Sequence, residues 1–279
     1  MTSMKRRLCA ALAAFAFVGT EAIAQIAIPY VPPELHQERR WLRGSTVTFC
    51  IWEVSPTFAV DREIGQAIAD ALLLEADFRV YDNRVPLLGD DFWEAVFIQL
   101  AEQCDAVMGF SIAGNLSSDW LLPSSPYFEA PFVLGVTNPD YRRLGDIPPG
   151  RPIGSLLYTL ADARLMEYQS VLPQEQRWTR YPFSSAQQGL DFLNDGRVEG
   201  TIFWTPTIGQ LTDGDPEGQG IRLVPLDPVT TPPSPIGMML REHNAFLRNE
   251  IDQAIAALRA DGTIDALVEA AGIPTLSAQ

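Results

Sequence analysis

Cysteine, histidine and lysine are scarce in this sequence. Its 279 residues include three cysteines, two histidines and a single lysine, Lys5. Three cysteines cannot form the disulfide framework of a small secreted scaffold. His36 and His243 have no carboxylate or cysteine at ligand or triad spacing. The sequence therefore indicates neither a histidine metal site nor a catalytic triad, and it implies no cofactor.

Positive charge is also scarce. Lysine and arginine together number 20 against 35 acidic residues, which gives a formal net charge of −15 at pH 7. So acidic a chain repels nucleic-acid phosphates and anionic membranes, and we expect neither as a partner. Hydrophobic residues make up 47% of the chain, which excludes disorder and suffices for one large domain or two ordinary ones.

The first 24 residues are predicted to be a secretory signal peptide. Basic residues 5–7 precede the apolar run Leu8–Val18, and Ala22-Ile23-Ala24 offers a cleavage site before Gln25. The alternative is a membrane anchor, but a run of 11 residues is too short to span a bilayer. We therefore expect export to a bacterial periplasm without stable membrane insertion. Cleavage removes three positive charges and Glu21, so the net charge becomes −17.

Two cysteines, Cys50 and Cys104, remain after cleavage. Cys50 lies near the end of a predicted strand, Thr46–Trp52, and Cys104 directly precedes another, Asp105–Phe110. A disulfide can persist in an oxidising compartment, and neighbouring strands would permit its geometry. Two buried thiols are the alternative, and the sequence leaves both open.

Strand and helix patterns alternate along the chain, which predicts an α/β fold. Strands are predicted at Thr46–Trp52, Asp77–Tyr81 and Asp105–Phe110, with helices Arg62–Leu74 and Phe92–Glu102 between them. This order predicts a parallel sheet whose ligands gather at the carboxyl ends of the strands. A second such unit follows a linker-like segment, and an apolar strand with two helices ends the chain. Its predicted elements are the strands Pro152–Leu156, Arg180–Phe183 and Val198–Trp204, the helices Thr159–Val171 and Ser184–Asn194, and the final strand Ile236–Leu240.

Four short motifs, in order, resemble those of type II periplasmic solute-binding proteins of solute-binding family 3. They are Cys104–Gly109, Ser125-Pro126-Tyr127, Gly196–Gly200 and Gly262–Asp265. The resemblance implies two lobes, each a mainly parallel sheet flanked by helices, with a small ligand held between them for the permease of an ABC transporter. It implies no catalysis. The implied division is an N-terminal lead-in at 25–44, lobe 1 at 45–136 and 232–279, and lobe 2 at 137–231.

Two positions depart from the amino-acid binders of that family. Those proteins keep an arginine for the ligand's carboxylate 12 residues after the strand's aspartate, where this chain has Ser117. They keep an aspartate for the amine where this chain has Trp204. Serine cannot make the bidentate contact of a guanidinium, so the departures argue against a standard α-amino acid as ligand.

Cleft positions of the family are aromatic or hydroxylic in this chain. Aromatic faces suit uncharged, cyclic or cationic ligands, although core packing is the alternative for each ring. Helix N-terminal amides near Tyr158 and Thr159 could receive an anionic group. The predicted ligand-binding residues are Trp52, Glu53, Phe110, Ser111, Ser117, Tyr158, Thr159, Trp204 and Thr205.

Two further functions remain open at this stage. The chain also resembles accessory proteins of quinoprotein (PQQ-dependent) methanol dehydrogenases, through Cys50, Cys104–Gly109 and Trp204-Thr205-Pro206. That resemblance implies a periplasmic dehydrogenase as the partner. The third reading is a cleft enzyme such as a dehydratase, with Glu53 or Asp90-Asp91 as acid and base.

Overall fold

The computed structural model describes residues 44–81, 90–114 and 118–275. The predicted signal peptide, all of the lead-in except Gly44, and Ser117 lie outside these ranges. Among the described helices, none combines the length and the apolar character needed to cross a membrane.

Strands and helices alternate over most of the chain. The strands are β1 (Thr46–Trp52), β2 (Glu75–Tyr81), β3 (Ala106–Ser111), β4 (Leu121–Pro123), β5 (Phe128–Ala130), β6 (Phe132–Val136), β7 (Pro152–Leu156), β8 (Thr179–Phe183), β9 (Gly200–Trp204), β10 (Arg222–Val224) and β11 (Ser234–Arg241). The helices are α1 (Phe58–Ala71), α2 (Asp90–Glu102), α3 (Leu160–Ser170), α4 (Ala186–Asn194), α5 (Thr205–Leu211), α6 (Ala245–Ala260) and α7 (Thr263–Ala270).

The first sheet, which forms lobe 1, has the strand order β2-β1-β3-β11-β4, with β5 also paired to β11. Strands β1, β2 and β3 are parallel, as the βαβαβ pattern predicts, whereas β11 runs antiparallel to β3. Six consecutive residues of β1 are buried, because helices cover both faces of this sheet. Helix α1 contributes Val60, Ile64 and Ile68 to one core, and α2 contributes Trp93, Val96 and Leu100 to the other.

The second sheet, which forms lobe 2, has the order β10-β6-β9-β7-β8. Strands β7, β8 and β9 are parallel, and β6 and β10 add antiparallel pairings. Both sheets are therefore mixed, with a three-stranded parallel part. The structure corrects one boundary: Phe132–Val136, assigned to lobe 1 from the sequence, is β6 of lobe 2. The first crossing between the lobes lies at Pro131, because β5 still pairs with β11 of the first sheet.

A disulfide joins Cys50 of β1 to Cys104, with Cα atoms 5.7 Å apart. Both cysteines are buried beside Trp93 and Leu100. The next residue, Asp105, accepts a hydrogen bond from the backbone N–H of Thr48 at 2.8 Å. The covalent bond and the hydrogen bond together fix β1 against the segment that leads into β3.

Candidate functional site

The carboxyl ends of the parallel strands in the two sheets meet at the crossing segments. In the first sheet, Ile236 of β11 pairs with Ser111 at the end of β3. In the second sheet, Phe132 of β6 pairs with Trp204 at the end of β9. Because the chain crosses between these two edges at Pro131, we expect the segments that follow β1, β3, β7, β8 and β9 to border a cleft between the lobes.

The aromatic residues predicted at the lobe 1 side of the cleft belong to a cluster of rings. Trp52 is only 7% exposed, and its ring centroid lies 5.9 Å from that of Tyr81 and 6.1 Å from that of Phe92. Phe110 is partly buried, with its ring 5.9 Å from Phe92. Trp52 therefore packs mainly in the core, and Phe110 presents part of its surface at the edge.

The polar residues predicted on this side are exposed. Glu53 directly follows β1, and its side chain is exposed. Its backbone N–H donates to the carbonyl of Tyr81 at 3.1 Å. Ser111, the last residue of β3, is also exposed. These two side chains can contact a ligand without prior rearrangement of the lobe.

On the lobe 2 side, Tyr158 and Thr159 connect β7 to α3 and have different roles. The Thr159 hydroxyl accepts from the backbone N–H of Asp162 at 3.2 Å and donates to the carbonyl of Leu156 at 2.8 Å. Its only proton is thus bonded to the Leu156 carbonyl, while its oxygen caps the N-terminus of α3. Tyr158 has a left-handed backbone, with φ of 65°, and is 93% exposed.

Trp204 and Thr205 connect the lobes. The indole Nε1 of Trp204 donates to the carbonyl of Ala130 at 3.1 Å, and its ring packs against the core of lobe 1. The backbone N–H of Thr205 donates to the carbonyl of Pro131 at 3.1 Å. Thr205 is fully buried, and within the described residues its Oγ1 has no hydrogen-bond partner. Both residues therefore bond lobe 2 to the end of β5 and the first crossing.

The lobe 2 wall beside Trp204 is apolar. A cavity of about 30 Å³ opens there, and neither acidic nor basic side chains line it. Its lining consists of Phe132, Leu156, Thr159, Phe183, Ala186, Ile202, Phe203, Trp204 and Thr207. This wall suits an apolar group of a ligand better than a carboxylate.

Positive charge is absent from the described cleft loops. In the described loops that follow β1, β3, β7 and β8, the charged side chains are those of Glu53 and Asp119, and both are acidic. Within the same described ranges, no group of three or more histidine, cysteine, aspartate or glutamate residues could hold a metal ion. These described loops carry two carboxylates, several aromatic surfaces and a few hydroxyls.

A buried carboxyl below the lobe 1 edge was missed from the sequence. Asp61 accepts hydrogen bonds at 2.6 Å from the hydroxyls of Thr57 and Tyr127, and Tyr127 in turn accepts from the N–H of Gly109 at 2.9 Å. Burial raises the pKa of Asp61 to about 7, although the two hydrogen bonds act in the opposite direction. This network fixes the start of α1 against the end of β3 and the turn that precedes the crossing.

Lobe 2 also contains a hydrogen-bonded carboxyl at the start of a helix, but there the carboxyl is paired with an arginine. Asp162 in the first turn of α3 accepts from the Ser155 hydroxyl at 2.6 Å and from Arg180 through Nε at 2.6 Å and Nη2 at 2.7 Å. Burial alone would raise the pKa of Asp162, but the hydrogen bonds from Arg180 and Ser155 lower it below its ordinary value. Asp162 is thus a paired anion that orients α3, the helix that follows Tyr158.

No protein-family model matches the sequence, and no curated protein matches it either. Several solved structures are similar in fold. The second substrate-binding domain of GlnP from Lactococcus lactis, in an open conformation, is 18% identical, covers 85% of this chain and 99% of its own, and has a TM-score of 0.67. The second substrate-binding domain of a putative amino acid ABC transporter from Streptococcus pneumoniae is 19% identical, covers 82% and 100%, and has a TM-score of 0.63.

An ancestral solute-binding protein is also similar in fold to this chain. The ancestral cationic amino acid solute-binding protein is 19% identical, covers 81% of this chain and 95% of its own, and has a TM-score of 0.61. These likenesses extend over both lobes. The chain therefore has the two-lobed fold of periplasmic binding proteins, with two mixed sheets flanked by helices.

Proposed function

We propose that this chain is a solute-binding protein that holds a small ligand between its lobes and delivers it to the membrane permease of an ABC transporter. The observation that carries the proposal is that the carboxyl ends of β3 and β9 lie on either side of the crossing at Pro131, through the pairings of Ser111 with Ile236 and of Trp204 with Phe132. In this proposal Glu53, Ser111, Tyr158 and Trp204 border the ligand. Two structural neighbours support the same role: the GlnP domain is a substrate-binding domain, and the Streptococcus pneumoniae domain is that of a putative amino acid ABC transporter.

Binding would act through the hinge. A ligand that contacts both edges stabilises the closed arrangement of the lobes, and a permease distinguishes the closed form from the open one. Such a protein needs no catalytic group, and we propose that this chain is not an enzyme. The carboxyl of Asp61 is fully buried in its network, so it is not accessible as an acid or base to a ligand in the cleft.

The ligand we propose is not a standard α-amino acid. Trp204 stands where amino-acid binders of the resembled family keep an aspartate, and its indole N–H is already bonded to Ala130. The apolar wall of lobe 2 and the absence of arginine from the described cleft loops also disfavour a carboxylate ligand.

We also propose that the protein acts in the periplasm after cleavage between Ala24 and Gln25. The support is the pattern of residues 1–24, which lie outside the described ranges. The role beside a quinoprotein dehydrogenase stays a sequence-based prediction, and no contact in the described residues favours it.

A thermal-shift screen of the cleaved protein tests the proposal. A ligand at 100 times its dissociation constant stabilises the fold by about 2.7 kcal/mol, and small-angle scattering should then show a smaller radius of gyration. We expect this response from a compound outside the α-amino acids. A response to glutamate or proline would overturn the exclusion of amino acids. Lack of any response, together with co-purification of a dehydrogenase, would overturn the transport role.

A further inference from the structure

Tyr158 has a backbone conformation that its residue type disfavours. Its φ of 65° lies in the left-handed region, where Cβ of any residue other than glycine lies too close to the following carbonyl oxygen. Burial of the ring does not offset this cost, because Tyr158 is 93% exposed. Glycine or asparagine would fit the same turn with less strain. An exposed aromatic side chain held at a strained position points to a function for the ring.

Apolar residues border the connection between β7 and α3 that carries Tyr158. Leu160, two residues later, is 40% exposed, and the lobe 2 wall presents Phe132, Leu156 and Trp204. The Thr159 hydroxyl proton, between Tyr158 and Leu160, is engaged with the Leu156 carbonyl. A ligand that reaches this side of the cleft therefore meets aromatic and aliphatic surface.

The facing lobe supplies a negative charge. Glu53 is exposed just after β1, Asp119 is exposed in the loop that follows β3, and no basic side chain lies in the described loops that follow β1, β3, β7 and β8. The partly buried ring of Phe110 lies at the end of β3 on the same edge. The predicted net charge of −17 after cleavage adds a field that attracts cations.

We propose that Tyr158 determines the class of ligand, which is a small organic cation with an apolar or aromatic body. The inference rests on the proposed solute-binding function. When the lobes close, the Tyr158 ring covers the ligand, the apolar body packs against the lobe 2 wall, and the cationic group faces Glu53. Aromatic faces attract cations strongly once water is excluded, which gives the ring a role that glycine could not perform.

Three compounds of similar size separate the ligand classes: benzyltrimethylammonium, benzyl alcohol and benzoate. We expect isothermal titration calorimetry to show binding of the cation, weaker binding of the alcohol and none of benzoate. Tyr158→Gly and Tyr158→Asn both keep the left-handed turn, so both should fold with no loss of melting temperature and bind the cation roughly 5- to 30-fold more weakly. Tyr158→Phe should bind the cation as tightly as the wild type does. Glu53→Gln should lower the affinity for the cation but not the affinity for the alcohol.

The outcomes separate this inference from the proposed function. If the wild type binds a compound and Tyr158→Gly binds it equally well, the role of Tyr158 is wrong and the solute-binding proposal stands. Tighter binding of benzoate than of the cation overturns the ligand class in the same way. Failure of the wild type to bind these probes or any compound of a broad metabolite screen overturns both proposals.

Discussion

The indole Nε1 of Trp204, at the end of β9 in lobe 2, donates a hydrogen bond of 3.1 Å to the carbonyl of Ala130, at the end of β5 in lobe 1. The Trp204 ring also packs against the core of lobe 1. A side chain of one lobe is therefore fixed to the backbone of the other beside the first crossing.

Trp204→Phe should change the hinge as well as the stability. Phenylalanine keeps an apolar ring but leaves the Ala130 carbonyl without this partner, which we expect to cost about 1 kcal/mol. We also expect a change in radius of gyration and in ligand affinity. The matched control is Trp178→Phe, which removes the bond from Trp178 Nε1 to the Ile147 carbonyl at 2.8 Å inside lobe 2. Equal effects of the two variants on affinity would contradict the hinge role.

Asp61→Asn should alter the pH dependence of stability. Because burial raises the pKa of Asp61 to about 7, the folded protein retains a proton there that the unfolded chain releases near its ordinary value of 3.8. The retained proton contributes fully to the free energy of unfolding below pH 3.8. Between pH 3.8 and about 7 this contribution falls by about 1.4 kcal/mol for each pH unit, and above about pH 7 it stays constant.

Urea unfolding between pH 4 and 8 measures this effect. The wild type should lose stability relative to Asp61→Asn up to about pH 7, with no further relative loss above it. Asp70→Asn, on the exposed face of α1, is the control. A stability difference between wild type and Asp61→Asn that does not vary with pH would show that Asp61 is ionised throughout.

Loss of the disulfide should destabilise lobe 1. The bond between Cys50 and Cys104 spans a sequence separation of 54 residues, for which the chain-entropy relation gives about 4 kcal/mol. The double variant Cys50→Ser with Cys104→Ser should melt at a lower temperature than the oxidised protein. Adding dithiothreitol should lower the melting temperature of the wild type and leave the variant unchanged. An equal response of both proteins would mean that the thiols are free.

Gly209→Ala should disturb the packing of α5 against the C-terminal segment. A Cβ at Gly209 would lie 2.5 Å from the carbonyl oxygen of Gly272 and 3.0 Å from Cδ of Pro274. We expect a loss of roughly 1–3 kcal/mol in the free energy of unfolding, because backbone must move to admit the methyl group. Gly145→Ala, where the nearest atom would be 3.3 Å away, is the control and should have a smaller effect.

The repeating elements of the fold were predictable because they carry strong local patterns. The predicted strand Thr46–Trp52 is β1, and the predicted helix Phe92–Glu102 differs from α2 only in its first turn. Helix α1 begins at Phe58 instead of Arg62, and this shift hid the place of Asp61 in the first turn. The signal for the earlier start was Thr57, a residue type that favours the N-cap position.

Other features depend on contacts between distant residues. The assignment of Phe132–Val136 to lobe 2 follows from its pairing with β9, which local sequence does not encode. Helix α5 has only seven residues, too few to show a helical period, and its one local signal was Pro206 in the first turn. The left-handed backbone of Tyr158 was not predictable, since residues that favour that conformation are glycine and asparagine.

The position of β11 has a consequence for the order in which the two lobes fold. This strand lies between β3 and β4 and also pairs with β5, yet it is made only after all of lobe 2. The first half of lobe 1 must therefore wait, with the edge of β3 unpaired, while Phe132–Val224 forms a complete sheet from contiguous chain. Domains tend to fold as units, so the inserted lobe, which is contiguous in sequence, should form before the lobe that precedes it in the sequence.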